Sequence, residues 1–126
     1  MTDLDLRAIQ REGFSIEFER EGSPSLKLSG TADMEMLPEL GPLLTELHAE
    51  LCLGEAREVT VDFRGLGFMN SSCFKCFITW IGSIAKLEPE RRYRVRFLTN
   101  PKFPWQRRSL EAIRAFAPAL VRVDAP

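Results

Sequence analysis

Runs of strict two-residue alternation, separated by stretches of helical spacing, constrain this chain more than any other feature of it. Phe14, Ile16 and Phe18 alternate with Ser15, Glu17 and Glu19, and after Glu21-Gly22-Ser23-Pro24 the pattern resumes with Leu26 and Leu28 against Ser25, Lys27 and Ser29. Two half-buried strands joined by turn residues make an antiparallel hairpin. Val59, Val61 and Phe63 repeat the alternation against Thr60 and Asp62, and Tyr93, Val95 and Phe97 repeat it against Arg92, Arg94 and Arg96. Leu120, Val121 and Val123 supply a closing strand.

Helical spacing fills the gaps. Leu37, Leu40, Leu43, Leu44, Leu47 and Leu51 recur at steps of 3 and 4, an amphipathic stripe. Proline is tolerated only in a helix's first turn, so Pro38 and Pro42 predict a separate turn at 35–40 and a regular helix from about Pro42 to Cys52, stopped by Gly54. Arg64 to Ser72 reads as a loop. From Cys73 to Leu87 the residues are apolar over most of a helix's circumference, leaving only Lys75, Thr79, Gly82 and Lys86 as a polar stripe. Such a helix is buried on two sides or awaits a partner. Leu110, Ile113 and Ala117, with Ala112 and Phe116, form a last short helix that Pro118 ends. The order β-β-α-β-α-β-α-β predicts an α/β fold. Right-handed crossovers make the later strands parallel, in a mixed sheet of about five strands with helices mainly on one face.

A chain of 126 residues is one domain's worth; the expected division is an N-terminal tail at 1–12 and a single domain at 13–124. No run of eighteen apolar residues predicts a membrane span, and Met1 to Glu12 has no apolar core of a signal peptide, which points to the cytoplasm. Three cysteines, Cys52, Cys73 and Cys76, make no fully paired disulfide framework. Residues 1–87 carry 8 basic and 14 acidic side chains, net −6, whereas residues 88–126 carry 9 and 4, net +5. The molecule is therefore electrically polar although its formal net charge is −1.

Several chemistries can be weighed against packing. Gly65-Leu66-Gly67-Phe68-Met69-Asn70 follows a strand but has Asn70 in place of the third glycine of a dinucleotide fingerprint. His48 and Cys52 share a helix face and Cys73 and Cys76 form C-x-x-C, a set that could hold zinc only if two separate helices brought it together. A thioredoxin-like role would need a lowered thiol pKa, and the fold order does not support it. Ser71 lacks the G-x-S-x-G setting of a hydrolase nucleophile, and the sole histidine is His48. No catalytic residue, metal or cofactor is expected. Residues 91–108 hold seven basic side chains and no acidic one, with Tyr93, Phe97, Phe103 and Trp105 interleaved. This makes a nucleic-acid module using Arg92, Arg94, Arg96, Arg107 and Arg108 an alternative, although strand period turns Tyr93 and Phe97 toward the core. Asn70, Ser71 and Ser72 are good helix N-caps. A hydroxyl at a helix N-terminus is also a favourable place to carry phosphate.

Val59-Thr60-Val61-Asp62-Phe63, Gly65-Leu66, Phe68-Met69-Asn70-Ser71-Ser72 and the apolar helix from Cys73 resemble the STAS family, the fold of bacterial anti-sigma factor antagonists. Leu26-Lys27-Leu28-Ser29-Gly30-Thr31-Ala32-Asp33 is similar to the family's strand and Gly-x-x-Asp turn, and the element order extends the resemblance over about residues 13 to 123. The resemblance implies a regulatory protein-binding module without enzymatic activity. It makes Ser71 the phosphoacceptor (alternative Ser72), Asn70 and Ser72 the cap, and Met69, Cys73, Cys76 and Trp80 a partner surface. The implied partners are a serine kinase/anti-sigma factor or related effector, and a phosphatase. Asn70 stands where the family has aspartate and Cys73 where it has glycine. A STAS-like group with an Asn-Thr-Ser-Ser loop and a nearby Lys-Cys is similar to Asn70-Ser71-Ser72 and Lys75-Cys76; its outputs include diguanylate cyclase control. A STAS-like scaffold that is not phosphorylated is the other reading, and the family's last helix has no counterpart before Pro126.

Overall fold

The computed structural model describes residues 9–19 and 23–125. Its six strands lie in the sheet in the order in which they occur in the chain: β1 (Ile9–Arg11), β2 (Phe14–Glu19), β3 (Ser25–Ala32), β4 (Glu58–Met69), β5 (Arg94–Leu98) and β6 (Val121–Asp124). The first three pair antiparallel and the last four pair parallel. Helices α1 (Leu37–Leu53), α2 (Ser71–Ala85) and α3 (Pro104–Phe116) form the crossovers. Each crossover steps to the next strand in the same direction, so right-handed connections put all three helices on one face. Burial agrees. Leu26, Leu28, Val59, Val61, Val95 and Phe97 are fully buried, whereas Lys27, Arg94 and Arg122 on the other face are exposed.

The expected α/β architecture is the observed one, with three differences of detail. β1 lies inside the segment expected to be a tail, 1–12, where Ile9 pairs with Ile16 and packs against the core; residues 1–8, and residues 20–22 of the hairpin turn, lie outside the described residues. α1 begins at Leu37 and accommodates Pro42 in its interior. Both prolines face solvent, and five buried leucines, Leu40, Leu43, Leu44, Leu47 and Leu51, offset the one hydrogen bond that Pro42 cannot donate. The expected loop at 64–72 is mostly strand, because β4 continues to Met69.

The continuation of β4 is irregular. Its register with β3 shifts between Lys27 and Ser29 and again between Gly30 and Thr31, so alternation fails: Leu66 and Met69 are both buried while Phe68 is exposed. Gly30 has φ +95°, and a Cβ there would overlap the carbonyl oxygen of Gly13, which accepts a hydrogen bond from Thr31 N–H at 2.8 Å. Only glycine fits both conditions.

The first turn of α3 and the loop before it hold this stretch of β4 by hydrogen bonds. Gln106, fully buried, donates from Nε2 to the carbonyls of Phe63 (2.6 Å) and Leu66 (2.7 Å), and its Oε1 accepts from Asn100 N–H (2.9 Å). Trp105 Nε1 donates to Gly67 O at 2.8 Å, and Asn100 Nδ2 to Arg64 O at 3.0 Å. Beneath them Phe63, Phe77 and Phe97 join β4, α2 and β5, with the Phe63 ring centroid 5.5 Å from Phe77 and 5.4 Å from Phe97. A Gln106→Leu variant keeps the volume but orphans two buried carbonyls. It is expected to lose about 1–3 kcal/mol of unfolding free energy in urea titrations, and an unchanged midpoint would show that these bonds are dispensable.

Candidate functional site

One residue, Asn70, separates β4 from α2. Its N–H donates to Ala32 O at 2.7 Å, which anchors it to the end of β3, and its extended backbone (φ −66°, ψ 148°) turns the side chain over the helix end. Asn70 Oδ1 accepts from Ser72 N–H at 2.7 Å, and Asn70 O accepts the first helical bond from Phe74 N–H at 3.0 Å. The bond to Ser72 N–H satisfies a donor that a helix start leaves open, as does the bond from Asn70 N–H to Ala32 O. Ser71 is the first helical residue and is exposed; Ser72 is half-buried. The Ser71 hydroxyl makes no hydrogen bond among the described residues, so no general base is in contact with it. Gly30-Thr31-Ala32, expected as part of a turn but in fact the end of β3, lies alongside with the Asp33 that follows it. Asp33 Oδ1 accepts from Glu35 N–H at 3.0 Å, and the Cys73 thiol donates to Asp33 O at 3.3 Å.

The other residues expected at a partner surface divide. Cys76 is partly accessible, but Met69, Cys73 and Trp80 are buried. Their side chains belong to the core, because α2 is covered by the sheet on one side and by α1 on another. The exposed apolar groups near Ser71 are instead Phe68, 49% accessible at the end of β4, and Met34, 57% accessible in the turn Met34–Met36 before α1. The register shift that exposes Phe68 has no signature in the alternation of β4. A cleft of about 300 Å³ runs between α1 and α2, bounded by Leu44, His48, Ser72, Lys75, Cys76 and Trp80 among others.

Beneath the cleft lies a buried polar chain. Trp80 Nε1 donates to the Tyr93 hydroxyl at 2.8 Å, and that hydroxyl is 2.6 Å from His48 Nδ1. Burial lowers the His48 imidazole pKa from its ordinary value of 6.5 and pushes the Tyr93 phenol up, against the hydrogen bond from Trp80. The two cysteines of C-x-x-C are also pushed up: Cys73 by burial and by the neighbouring Cys76 and Asp33, Cys76 by burial alone. A redox dithiol needs the opposite shift. Cys52 lies 3.7 Å from His48 Nε2. Among the described residues no three His, Cys, Asp or Glu side chains gather as a ligand set, so the zinc arrangement does not assemble.

The basic segment is dispersed. Arg92, expected beside Arg94 and Arg96, instead donates to the α2 carbonyl of Ala85 at 2.9 Å and to Leu87 O at 3.0 Å, because β5 starts only at Arg94. Arg96 and Arg122 both hold Asp124, at 2.7 and 3.1 Å, while Arg107 and Arg108 project from α3. Tyr93 and Phe97 are core residues, and Trp105 is committed to Gly67.

Two substitutions test this arrangement. Asn70→Ala removes the cap and is expected to cost about 0.5–2 kcal/mol. Tyr93→Phe leaves the buried Trp80 N–H without an acceptor and is expected to cost about 1–3 kcal/mol. Chemical denaturation reads both, and wild-type stability in either variant would contradict the assigned bonds.

Neither a protein-family model nor a curated protein matches the sequence. Solved structures do share the fold. An anti-sigma factor antagonist from Mycobacterium paratuberculosis superposes with a TM-score of 0.63 at 16% identity, over 90% of this chain and 88% of that one. An uncharacterized protein of the DUF3478 family with a SpoIIAA-like fold, from Shewanella loihica PV-4, gives 0.59 at 17%, over 90% and 87%. The anti-sigma factor antagonist SpoIIAA in its unphosphorylated form gives 0.51 at 17%, over 90% and 89%. No helix among the described residues is long and apolar enough to cross a membrane. Six strands in sequential order, three crossover helices on one face and a serine-bearing helix start after the central strand make this a STAS-like fold, shared with the anti-sigma factor antagonists.

Proposed function

We propose that the chain is a cytoplasmic regulatory protein-binding module of the anti-sigma factor antagonist kind, without enzymatic activity, that exchanges partners according to phosphorylation of Ser71. The observation that carries this reading is the placement of Ser71: exposed, its hydroxyl without a hydrogen bond among the described residues, and first in a helix of 15 residues whose neighbouring N–H is already capped by Asn70. A phosphate there meets the positive end of the helix dipole, so modification leaves the fold intact. Its effect falls on the partner. Phe68 and Met34 offer apolar contact area at the same end of the sheet, and a dianion among them must be desolvated when a partner docks. A serine kinase acting as anti-sigma factor, or a related effector, and a phosphatase are the partners of this scheme. Ser72, half-buried and with its N–H engaged by Asn70, is the less accessible acceptor.

Mass spectrometry of the protein recovered from its native cells with its associated proteins is expected to find phosphate on Ser71 and a kinase or phosphatase in the complex. With that partner purified, Ser71→Asp is expected to weaken binding at least ~10-fold, about 1.4 kcal/mol, while Ser71→Ala binds like wild type. An unmodified Ser71 across growth conditions, with stable partners bound, would replace this reading by the constitutive scaffold. The nucleic-acid alternative predicts binding that collapses between low and physiological salt. The commitment of Arg92 to α2 and of Arg96 and Arg122 to Asp124 weighs against it.

A further inference from the structure

The single histidine of the chain sits where one proton would undo the attachment of α2. An indole N–H can only donate, so the Tyr93 hydroxyl oxygen accepts from Trp80. The hydroxyl's own hydrogen then has one destination, since His48 Nδ1, at 2.6 Å, is its only other partner among the described residues. Nδ1 is therefore an acceptor, and the imidazole is neutral with its hydrogen on Nε2, facing Cys52 Sγ at 3.7 Å. Three elements meet in this chain of bonds: α1 through His48, α2 through Trp80, and the segment entering β5 through Tyr93.

A proton taken from solvent onto Nδ1 converts that atom from acceptor to donor. Tyr93 would then face two donors competing for the in-plane lone pair of its ring-conjugated oxygen, of which the charged imidazolium is the stronger, and its own hydrogen would have no acceptor in a buried site, where an unmade hydrogen bond is costly. The titratable and charged groups around the imidazole cannot compensate. They are Cys52 on α1, Tyr93 ahead of β5, and Cys76 and Lys75 on α2, which share the cleft with His48; no carboxylate lines that cleft.

We infer that His48 is a proton-operated latch: neutral, it ties α1 to α2 through Tyr93, and protonated, it releases Trp80 and frees the helix that begins at Ser71 to shift on α1. The inference rests on hydrogen-bond geometry and holds whether or not Ser71 is phosphorylated. Burial places the folded-state value below the ordinary 6.5. The tie is thus complete above pH 6.5, and its stabilisation is lost as the pH falls from there through the folded value.

Nuclear magnetic resonance on the untagged full chain tests this directly, because the two tryptophans give separate indole signals and Trp105 is an internal control bonded to Gly67. The Trp80 indole signal is expected to follow a one-proton titration with a midpoint below 6.5 while Trp105 stays still. Amides of α2 near Trp80 are expected to exchange about 10-fold faster at the acid end after correction for intrinsic rate. His48→Asn, which cannot titrate, should abolish both effects. Should that variant not fold, nitrogen-labelled histidine in the wild type reports the same group, with a hydrogen on Nε2 expected at neutral pH. A static Trp80 signal, an undiminished response in His48→Asn, joint movement of both tryptophans, or a hydrogen on Nδ1 at neutral pH would each overturn the latch.

Discussion

Beyond Asp62, where its ladder with β5 ends, β4 runs on with carbonyls that need other donors, and buried backbone oxygens cannot be left without partners. Gln106 meets that need at Phe63 and Leu66, Trp105 at Gly67 and Asn100 at Arg64. All three donors come from α3 or the loop that leads into it, about forty residues downstream. The strand that delivers Asn70 and Ser71 is therefore held in its irregular path by an element that takes no part in the helix start itself.

The same economy governs α2. Its N-terminus is capped by Asn70 and anchored sideways through the Cys73 thiol on Asp33, and Arg92 bonds Ala85 O at its far end. Between these, Phe77 and Trp80 tie its inner face to β4, β5 and α1. A helix so apolar is not a free docking surface; it is a core element whose exposed residues are Ser71 at its start, Lys75 and Thr79 on the polar stripe, and Ala85 at its end. The exposed apolar area beside it is that of Phe68 and Met34.

Much of this fold is legible in the sequence. The two-residue alternations located β2, β3, β5 and the first half of β4, Leu120, Val121 and Val123 marked β6, and the leucine spacing located α1, because burial on one face writes its period directly into sequence. Asn70, Ser71 and Ser72 were recognisable as a helix start because short polar side chains there perform a local task. Readings that required knowing what lies across space did not survive in the same form. Cys73 and Trp80 read as exposed because α2 is apolar over most of its circumference, and Met69 because it falls in the expected loop, yet all three are core residues. Arg92 read as a strand residue because it continues an alternation, yet its guanidinium bonds two carbonyls at the end of α2. Pro42 argued for a later helix start, but five buried leucines outweigh one missing hydrogen bond.

Local periodicity, turn chemistry and capping are enough to specify the class of fold, the order of its elements from β2 onward and the serine at the head of the second crossover helix. Only the tertiary structure decided the register of β4 with β3, the burial of Trp80, and the meeting of His48 with Tyr93 across 45 positions of chain. Those depend on distances between elements far apart in sequence. A side chain's partner there is chosen by packing geometry that no local pattern encodes.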